Sequence, residues 1–408
     1  MRYIDFVHLG YDPSEEDLIC EFHVKPLGIT IEEAAGGVAA ESSIGTWTEL
    51  TTEKPYVREL QARVFSIEGN EIKVAYPIGL FEAGNMPNVL SSVAGNVFGL
   101  EDIRRLRLED IHLPSKLVDS FPGPKHGVEG VRRLLMVKGR PLVGTIIKPK
   151  LGLRTPDHAE VAHQAWVGGC DVVKDDENLS GQGFNSFEER VVQTLERRDL
   201  AEEETGERKA YMVNVTAETE EMVERAEFVE AQGGRYMMVD IITCGFSALQ
   251  TLRKKGLDLV IHAHRAGHAA FTRLPDHGIS MRVVAKLARI LGVDQLHVGA
   301  VVGKMSETRE EVEANIDALV GRMHGLKRVL PVASGGLHPG LVPELIEIFG
   351  SDFAMQAGGG IHGHPSGTEA GAKAMRQAVE AVLEGVGLED YAEDHRELSQ
   401  ALRTWSAT

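Results

Sequence analysis

Long apolar runs are absent from this 408-residue chain. Nowhere do about 18 apolar residues follow one another, so the sequence offers no helix able to span a bilayer. The start, Met1-Arg2-Tyr3-Ile4-Asp5, lacks the apolar core of a secretory leader, and a soluble cytoplasmic protein is expected. Cysteine is scarce. Cys20, Cys170 and Cys244 are odd in number, far apart and without metal-ligand spacing, which argues against a disulfide-stapled fold and predicts free thiols in a reducing compartment. Basic runs are missing too. With a formal net charge of -18 the surface repels nucleic acid phosphate and anionic lipid, so neither is expected as a partner. An anionic small substrate remains admissible, because a few Lys, Arg and His side chains converging in a cleft set the local field. Neither an internal repeat nor a low-complexity tract is visible.

What the chain does have is apolar content, 43% of it, enough for a substantial core and, at this length, for two domains. From about residue 141 onward, strand-length apolar segments alternate with helix-period segments, the pattern of repeated β-α units. The candidate strands cover 141–148, 171–176, 211–215, 236–241, 258–264, 295–299, 328–333 and 353–357. They number eight, which closes a barrel. Between them, Arg309 to Leu319 places Val312, Ile316 and Leu319 on one helical face, and Thr308 with Glu311 has capping-box spacing. Residues 1–110 read as a small α+β domain, with strands at Leu18 to Val24 and Glu71 to Tyr76. The Pro- and Gly-rich stretch 111–127 reads as a linker, 128–385 as the barrel and 386–408 as a short polar helical tail. The predicted class is α/β: a (β/α)8 TIM barrel preceded by a smaller N-terminal α+β domain.

In such a barrel the C-terminal strand ends carry the chemistry, and nearly every predicted strand here ends in a reactive residue. The first ends in Lys148-Pro149-Lys150 and the second in Lys174-Asp175-Asp176-Glu177-Asn178. Asn214 closes the third. The fifth ends in His262-Ala263-His264-Arg265 with His268 beyond, and the sixth in His297 followed by Gly303-Lys304. The last two end in Ser334-Gly335-Gly336 and Gly358-Gly359-Gly360. Taken singly, each is as well explained by a solvated side chain or a plain turn; their convergence from distant positions points to a site.

Asp176 and Glu177 supply hard oxygens suited to Mg2+. Two readings of Lys174 stand beside them. As an ammonium it forms a salt bridge and weakens metal binding; as a neutral amine it adds CO2 and becomes an anionic carbamate, a third oxygen ligand. Backbone N-H groups of Gly335-Gly336 and Gly358-Gly359 can approach a phosphate because no side chain intervenes. Arg265 and His297 could make a second anion site across the mouth. Two such sites flanking a metal imply a bisphosphate. Val301-Val302-Gly303-Lys304-Met305-Ser306 leads into a helix as a charged lid would, or as an ordinary loop with a solvated lysine.

With these residues assembled, the chain resembles the large subunit of ribulose-1,5-bisphosphate carboxylase/oxygenase, RubisCO, and within that family the archaeal form III type. The resemblance spans nearly the whole chain and rests on Gly144-Thr-Ile-Ile-Lys-Pro-Lys150, Lys174-Asp-Asp-Glu-Asn178, His262-Ala-His-Arg-Ala-Gly-His268, His297 with Val301-Val-Gly-Lys304, Ser334-Gly-Gly336 and Gly358-Gly-Gly360. In the first domain Glu41-Ser-Ser-Ile-Gly-Thr-Trp47 and Gly95-Asn-Val-Phe98 match as well. The resemblance implies Lys174 as the carbamylated lysine formed by an activating CO2, with Asp176 and Glu177 completing the protein ligands of Mg2+. It implies Lys148 as a proton-handling residue supported by Lys150, and His264 as a catalytic residue that contacts the sugar near the metal and helps move protons. Arg265 and His297 match the groups on one phosphate; Thr46, Trp47, Gly336, Gly358 and Gly359 match those around the other, beside Gly335. Ser334 matches a sugar-hydroxyl contact, and Lys304 the lid lysine over the CO2 addition site. Glu41 and Asn96 match residues that a neighbouring subunit places in the pocket, implying a homodimer or an assembly of dimers.

The implied substrates are ribulose-1,5-bisphosphate, CO2 and O2, and the implied product is two 3-phosphoglycerates. One departure stands out: Ala300 replaces the threonine expected in the family near the lid hinge. The rival reading is a RubisCO-like enolase, isomerase or transcarboxylase, which keeps the enolising metal site but usually loses several phosphate or lid residues. A second rival is a non-catalytic binding protein on the same barrel.

Overall fold

The computed structural model describes residues 2–304 and 307–405. Met305 and Ser306 of the expected lid, and Ser406 to Thr408 of the expected tail, lie outside the described residues. The chain forms two compact units: one holds residues 1–122, 267–290 and 322–325, the other 123–266, 291–321 and 326–408.

The first unit is built on strands β1 (Leu18–Pro26), β2 (Arg63–Glu68), β3 (Glu71–Tyr76), β4 (Ile103–His112) and the two-residue β10 (Gly278–Ile279). They form one mixed sheet in the order β10-β4-β1-β3-β2, antiparallel except where β10 runs alongside β4. In β1, Leu18, Cys20, Phe22 and Val24 alternate with partly exposed residues, so one face of the sheet is buried. Helix Ile31–Glu41 covers it, started by Thr30 and Glu33 in a reciprocal capping box. Neither β2 nor β4 was expected as a strand. The charges along β4 hide its alternation, yet Arg107 is buried against Glu109 (2.9 Å) and Asp110 against Lys286 (2.5 Å). Residues 267–290, read from sequence as part of the barrel run, group with this first unit.

The second unit is a closed parallel barrel of eight strands in the order β11-β12-β13-β5-β6-β7-β8-β9. Its strands are β5 (Leu142–Ile146), β6 (Val172–Lys174), β7 (Ala210–Asn214), β8 (Tyr236–Asp240), β9 (Val260–His264), β11 (Gln295–His297), β12 (Leu330–Ser334) and β13 (Ala354–Gln356). Each falls within a predicted segment or shifts by a residue, and the ring closes where Leu142 pairs with Ala354. A (β/α)8 barrel is therefore the fold of this unit.

Its core lies at the N-terminal end. Leu142, Val172, Ala210, Tyr236, Val260, Leu330 and Ala354 share one buried cluster with Val128, Val131 and Leu135 of helix Gly127–Leu135, which caps that end. Each large apolar side chain buried there contributes about 1.5–3 kcal/mol. Because strand side chains alternate, a step of two residues climbs from this cluster toward the mouth: Val172 to Lys174, Met212 to Asn214, Met238 to Asp240 and Val332 to Ser334. The packed lower half thus fixes the height and direction of the reactive upper half. No helix among the described residues is long and apolar enough to cross a membrane.

Candidate active site

Lys174 ends β6 with only 1% exposure. Its Nζ donates to the backbone oxygen of Asp175 at 2.7 Å and lies 3.5 Å from Glu177 Oε2. Burial pushes this amine below the ordinary lysine range, and Glu177, Asp176 and Asp175 offset that only in part. From the end of β5, Lys148 donates to Asp176 Oδ2 at 2.7 Å, while Asp176 Oδ1 accepts from the backbone and side-chain nitrogens of Asn178 at 3.2 and 3.1 Å. Glu177 also faces His264 Nε2 at 3.7 Å. Burial by itself would favour its neutral form, but Lys174 and His264 outweigh that and hold its carboxyl down at about 2. As free side chains, then, these four form two ion pairs, the first of the two readings open to Lys174.

Asp175 goes the other way. Alternation turns it from Lys174 toward the surrounding helices, where it accepts from Tyr211 Oη (2.5 Å), the Asn214 backbone N-H (3.0 Å) and Arg190 Nε (3.3 Å), with His158 Nε2 at 3.1 Å. This fully buried network pins the backbone that carries Lys174, Asp176 and Glu177. Neither the motifs nor the family resemblance gives Asp175 a role. The signal was there in the alternation of β6, which gives Asp175 the opposite face, although its partners come from three separate elements.

Three histidines line the wall formed by β9 and β11. His262 and His297 meet Nε2 to Nε2 at 2.9 Å, so one ring donates and the other accepts, and both stay neutral. Burial and neighbouring cations press the same way: His262 is pushed down to about 3 by burial and Lys174, and His297 lies well below the usual range. His262 Nδ1 is fixed by Gln295 Oε1 and His297 Nδ1 by Ser334 Oγ, each at 2.8 Å. His264 stacks edge-on to His297 with ring centres 4.9 Å apart, and its Nδ1 lies 3.5 Å from Asp240 Oδ1. His262, Gln295 and Asp240 thus support the predicted residues from behind.

Arg265 is buried and ion-paired to Glu307 at 2.6 Å, and its charge contributes to the lowering of His297. The structure therefore brings Arg265 and His297 into one electrostatic neighbourhood, with Glu307 as a partner the sequence had not offered. At the other wall, Gly335 and Gly336 adopt φ of 109° and 79°, backbone that favours glycine. Lys304 N-H donates to Gly335 O at 3.1 Å, and a Cβ on Gly336 would come within 3.1 Å of that same nitrogen. Lys304 is exposed and docked against this glycine turn. A Cβ on Gly358 would meet Lys148 Cε at 3.1 Å, whereas Gly359 faces open space. Lys150 is exposed. Val301 takes a φ of 65°, unusual for a β-branched residue. Such strain costs about 1–3 kcal/mol and sits at the base of the Lys304 segment, beside the buried Ala300.

The remaining predicted residues belong to the first unit. Glu41 ends its helix and accepts from Tyr3 Oη at 2.8 Å. Thr46 lines a cavity of about 200 Å³ with Ile44, Gly45, Leu50 and Val57. Trp47 is 81% exposed, and exposed Asn96 begins the turn Asn96–Gly99, whose Val97 is buried.

Among the described residues, no group of three or more His, Cys, Asp or Glu is placed to hold a metal ion. Asp176 and Glu177 offer hard oxygens side by side, and the next group is the Lys174 amine. The set fits Mg2+ when that amine is converted to an oxygen-bearing anion.

Reactive groups gathered at the C-terminal ends of barrel strands define a (β/α)8-barrel protein of the enzymatic kind. The ribulose bisphosphate carboxylase large chain family matches it twice, by its N-terminal domain over residues 5–117 and by its catalytic domain over 127–405. The ribulose bisphosphate carboxylase of Methanocaldococcus jannaschii is 51% identical over 98% of this chain and 100% of its own length. That of Pyrococcus furiosus is 50% identical over 99% and 97%. Among solved structures, the octameric ribulose-1,5-bisphosphate carboxylase/oxygenase of Pyrococcus horikoshii in complex with sulfate superposes with a TM-score of 0.97 at 48% identity, covering 100% of this chain and 98% of that one. The dimeric archaeal Rubisco of Hyperthermus butylicus gives 0.92 at 44% identity, with 100% of both chains covered. This chain belongs to the ribulose bisphosphate carboxylase large chain family.

Proposed function

We propose that this chain is a form III ribulose-1,5-bisphosphate carboxylase/oxygenase, activated by CO2 through a carbamate on Lys174 and dependent on Mg2+. The observation that carries the reading is the buried Lys174 amine beside Asp176 and Glu177, because only an unprotonated amine adds CO2 and burial favours that form. Addition to the neutral amine forms an N-C bond, releases one proton and leaves an anion. Asp176, Glu177 and the carbamate would then hold the metal, which when bound polarises the substrate ketone and stabilises the oxyanion formed as the C3 proton leaves.

The chain's own groups divide the remaining tasks. Lys148, which would be freed from Asp176 when that carboxylate holds the metal, moves protons at the reacting carbons with Lys150 in support. His264 contacts the sugar beside Glu177. Arg265 supplies the charge for one phosphate, and neutral His297, whose two ring nitrogens are held by His262 and Ser334, lines the same subsite, while Ser334 meets a sugar hydroxyl. Backbone N-H groups of Gly335, Gly336, Gly358 and Gly359 take the other phosphate, with Thr46 and Trp47. Lys304 balances the carboxylate created when CO2 adds at C2. Water then adds at C3 and the C2-C3 bond breaks, giving two 3-phosphoglycerates. O2 attacks the same electron-rich carbon in the oxygenase reaction.

Glu41 and Asn96 would be delivered by a second copy of the chain, making a homodimer the smallest active unit. The exposure of Asn96 and Trp47 accords with surfaces that await a partner. The free thiols accord with a reducing, cytoplasmic setting. Incorporation of labelled CO2 into phosphoglycerate, dependent on ribulose-1,5-bisphosphate and Mg2+, tests the reading. Exchange of the C3 proton without labelled phosphoglycerate would instead make this a RubisCO-like enolase.

A further inference from the structure

Arg265 leaves the end of β9, and Glu307 lies two residues before helix Arg309–Val320. Their side chains are only 6% and 13% exposed, and Arg265 Nη2 donates to Glu307 Oε1 at 2.6 Å. The pairing is half made: Arg265 Nη1 and Glu307 Oε2 are both buried without a hydrogen-bond partner. A guanidinium and a carboxylate meeting edge to edge would satisfy both atoms. Here the carboxylate reaches Arg265 across Gly299, where a Cβ would stand 3.2 Å from Glu307 Cδ and where φ is 97°. The glycine therefore leaves room for the Glu307 carboxylate beside Arg265.

We propose that the Glu307 carboxylate is a built-in competitor of substrate phosphate, holding Arg265 between turnovers and setting how tightly this subsite binds an anion. The proposal rests on the reading of Arg265 as a phosphate-holding residue and adds the residue that tunes it. A buried guanidinium left without a counterion is costly, and Glu307 removes that cost in the free protein. A phosphate ester carries more charge and three oxygens, enough to engage both terminal nitrogens, including the one Glu307 leaves unpaired. The same competition returns at the end of each cycle and hastens departure of a phosphorylated product.

The test is calorimetric titration of the full-length protein with inorganic phosphate, comparing wild type with Glu307→Gln, which keeps shape and removes charge. The dissociation constant should fall about tenfold, the change expected when one charge-assisted hydrogen bond no longer has to be surrendered. The KM for ribulose-1,5-bisphosphate should fall with it, and Glu307→Asp should stay near wild type. In an Arg265→Ala background the Gln substitution should change nothing, which separates this subsite from the glycine turns. Unchanged or weaker phosphate binding by Glu307→Gln, at an unaltered melting temperature, overturns the proposal and makes Glu307 a clamp that positions Arg265. If Glu307→Gln melts early, Glu307→Ser carries the same comparison. Phosphate affinities in the expected order, in a protein that fixes no labelled CO2, would support the competition while refuting the carboxylase reading.

Discussion

Strand β6 has carboxylates at both ends, and the fold treats them in opposite ways. At the start, Asp171 is 1% exposed and closed on every side: Arg140 grips it with two 2.7 Å hydrogen bonds and the Val143 backbone adds one at 2.8 Å. Asp294, at the start of β11, is closed likewise by Arg253 and by the backbone N-H groups of His126, Gly127 and Ile261. At the far end of β6, Asp176 pairs with Lys148, which is 35% exposed, and Glu177, 28% exposed, faces the amine of Lys174. Carboxylates that hold the barrel together spend all their bonding capacity on fixed donors. Those proposed to hold a metal are paired instead with the amines of Lys148 and Lys174.

The comparison breaks most visibly at Lys174. Replacement by Ala should lower carboxylation by at least about 10⁴-fold, assayed with labelled CO2, while the melting temperature holds; substantial turnover would end the distinction. Asp294→Ala should do the reverse, costing about 3–5 kcal/mol in urea unfolding because Arg253 is left buried and unpaired, with activity per folded molecule close to wild type. Lys304→Ala should reduce carboxylation about 100-fold but C3 proton exchange far less, since its charge is needed only after CO2 arrives. Equal losses in both partial reactions would remove it from the addition step. The smallest effect is on pH. Activation by CO2 needs the unprotonated Lys174 amine and so should rise with pH, with a midpoint below the ordinary lysine value of about 10.4 because burial lowers it. A midpoint at or above that value would place the amine in a water-like environment.

Much of this was legible in the sequence because it depends on local pattern. The two-residue period of the strands carried Val172 to Lys174 and Val332 to Ser334, and the Thr308–Glu311 capping box closes as its spacing predicts. The segment 171–176 shrinks to Val172–Lys174, although the backbone N-H groups of Asp171 and Asp175 still donate to Val143 and Met212 of the neighbouring strands. What could not be read depends on distant partners. The two-residue β10 exists only by pairing with β4, about 170 positions away in sequence and far too remote for periodicity to report. Glu307 gives no local sign of its tie to Arg265, 42 residues earlier. Asp175 sat in plain view, but its role appears only when His158, Arg190 and Tyr211 converge on it.

The carbamate proposed on Lys174 is tested directly by carbon NMR of the protein equilibrated with 13C-labelled CO2 and Mg2+. One carbamate resonance per chain, stabilised by Mg2+ and absent from Lys174→Arg, is the predicted result. A wild-type spectrum without that resonance, or one that persists in Lys174→Arg, would contradict the account.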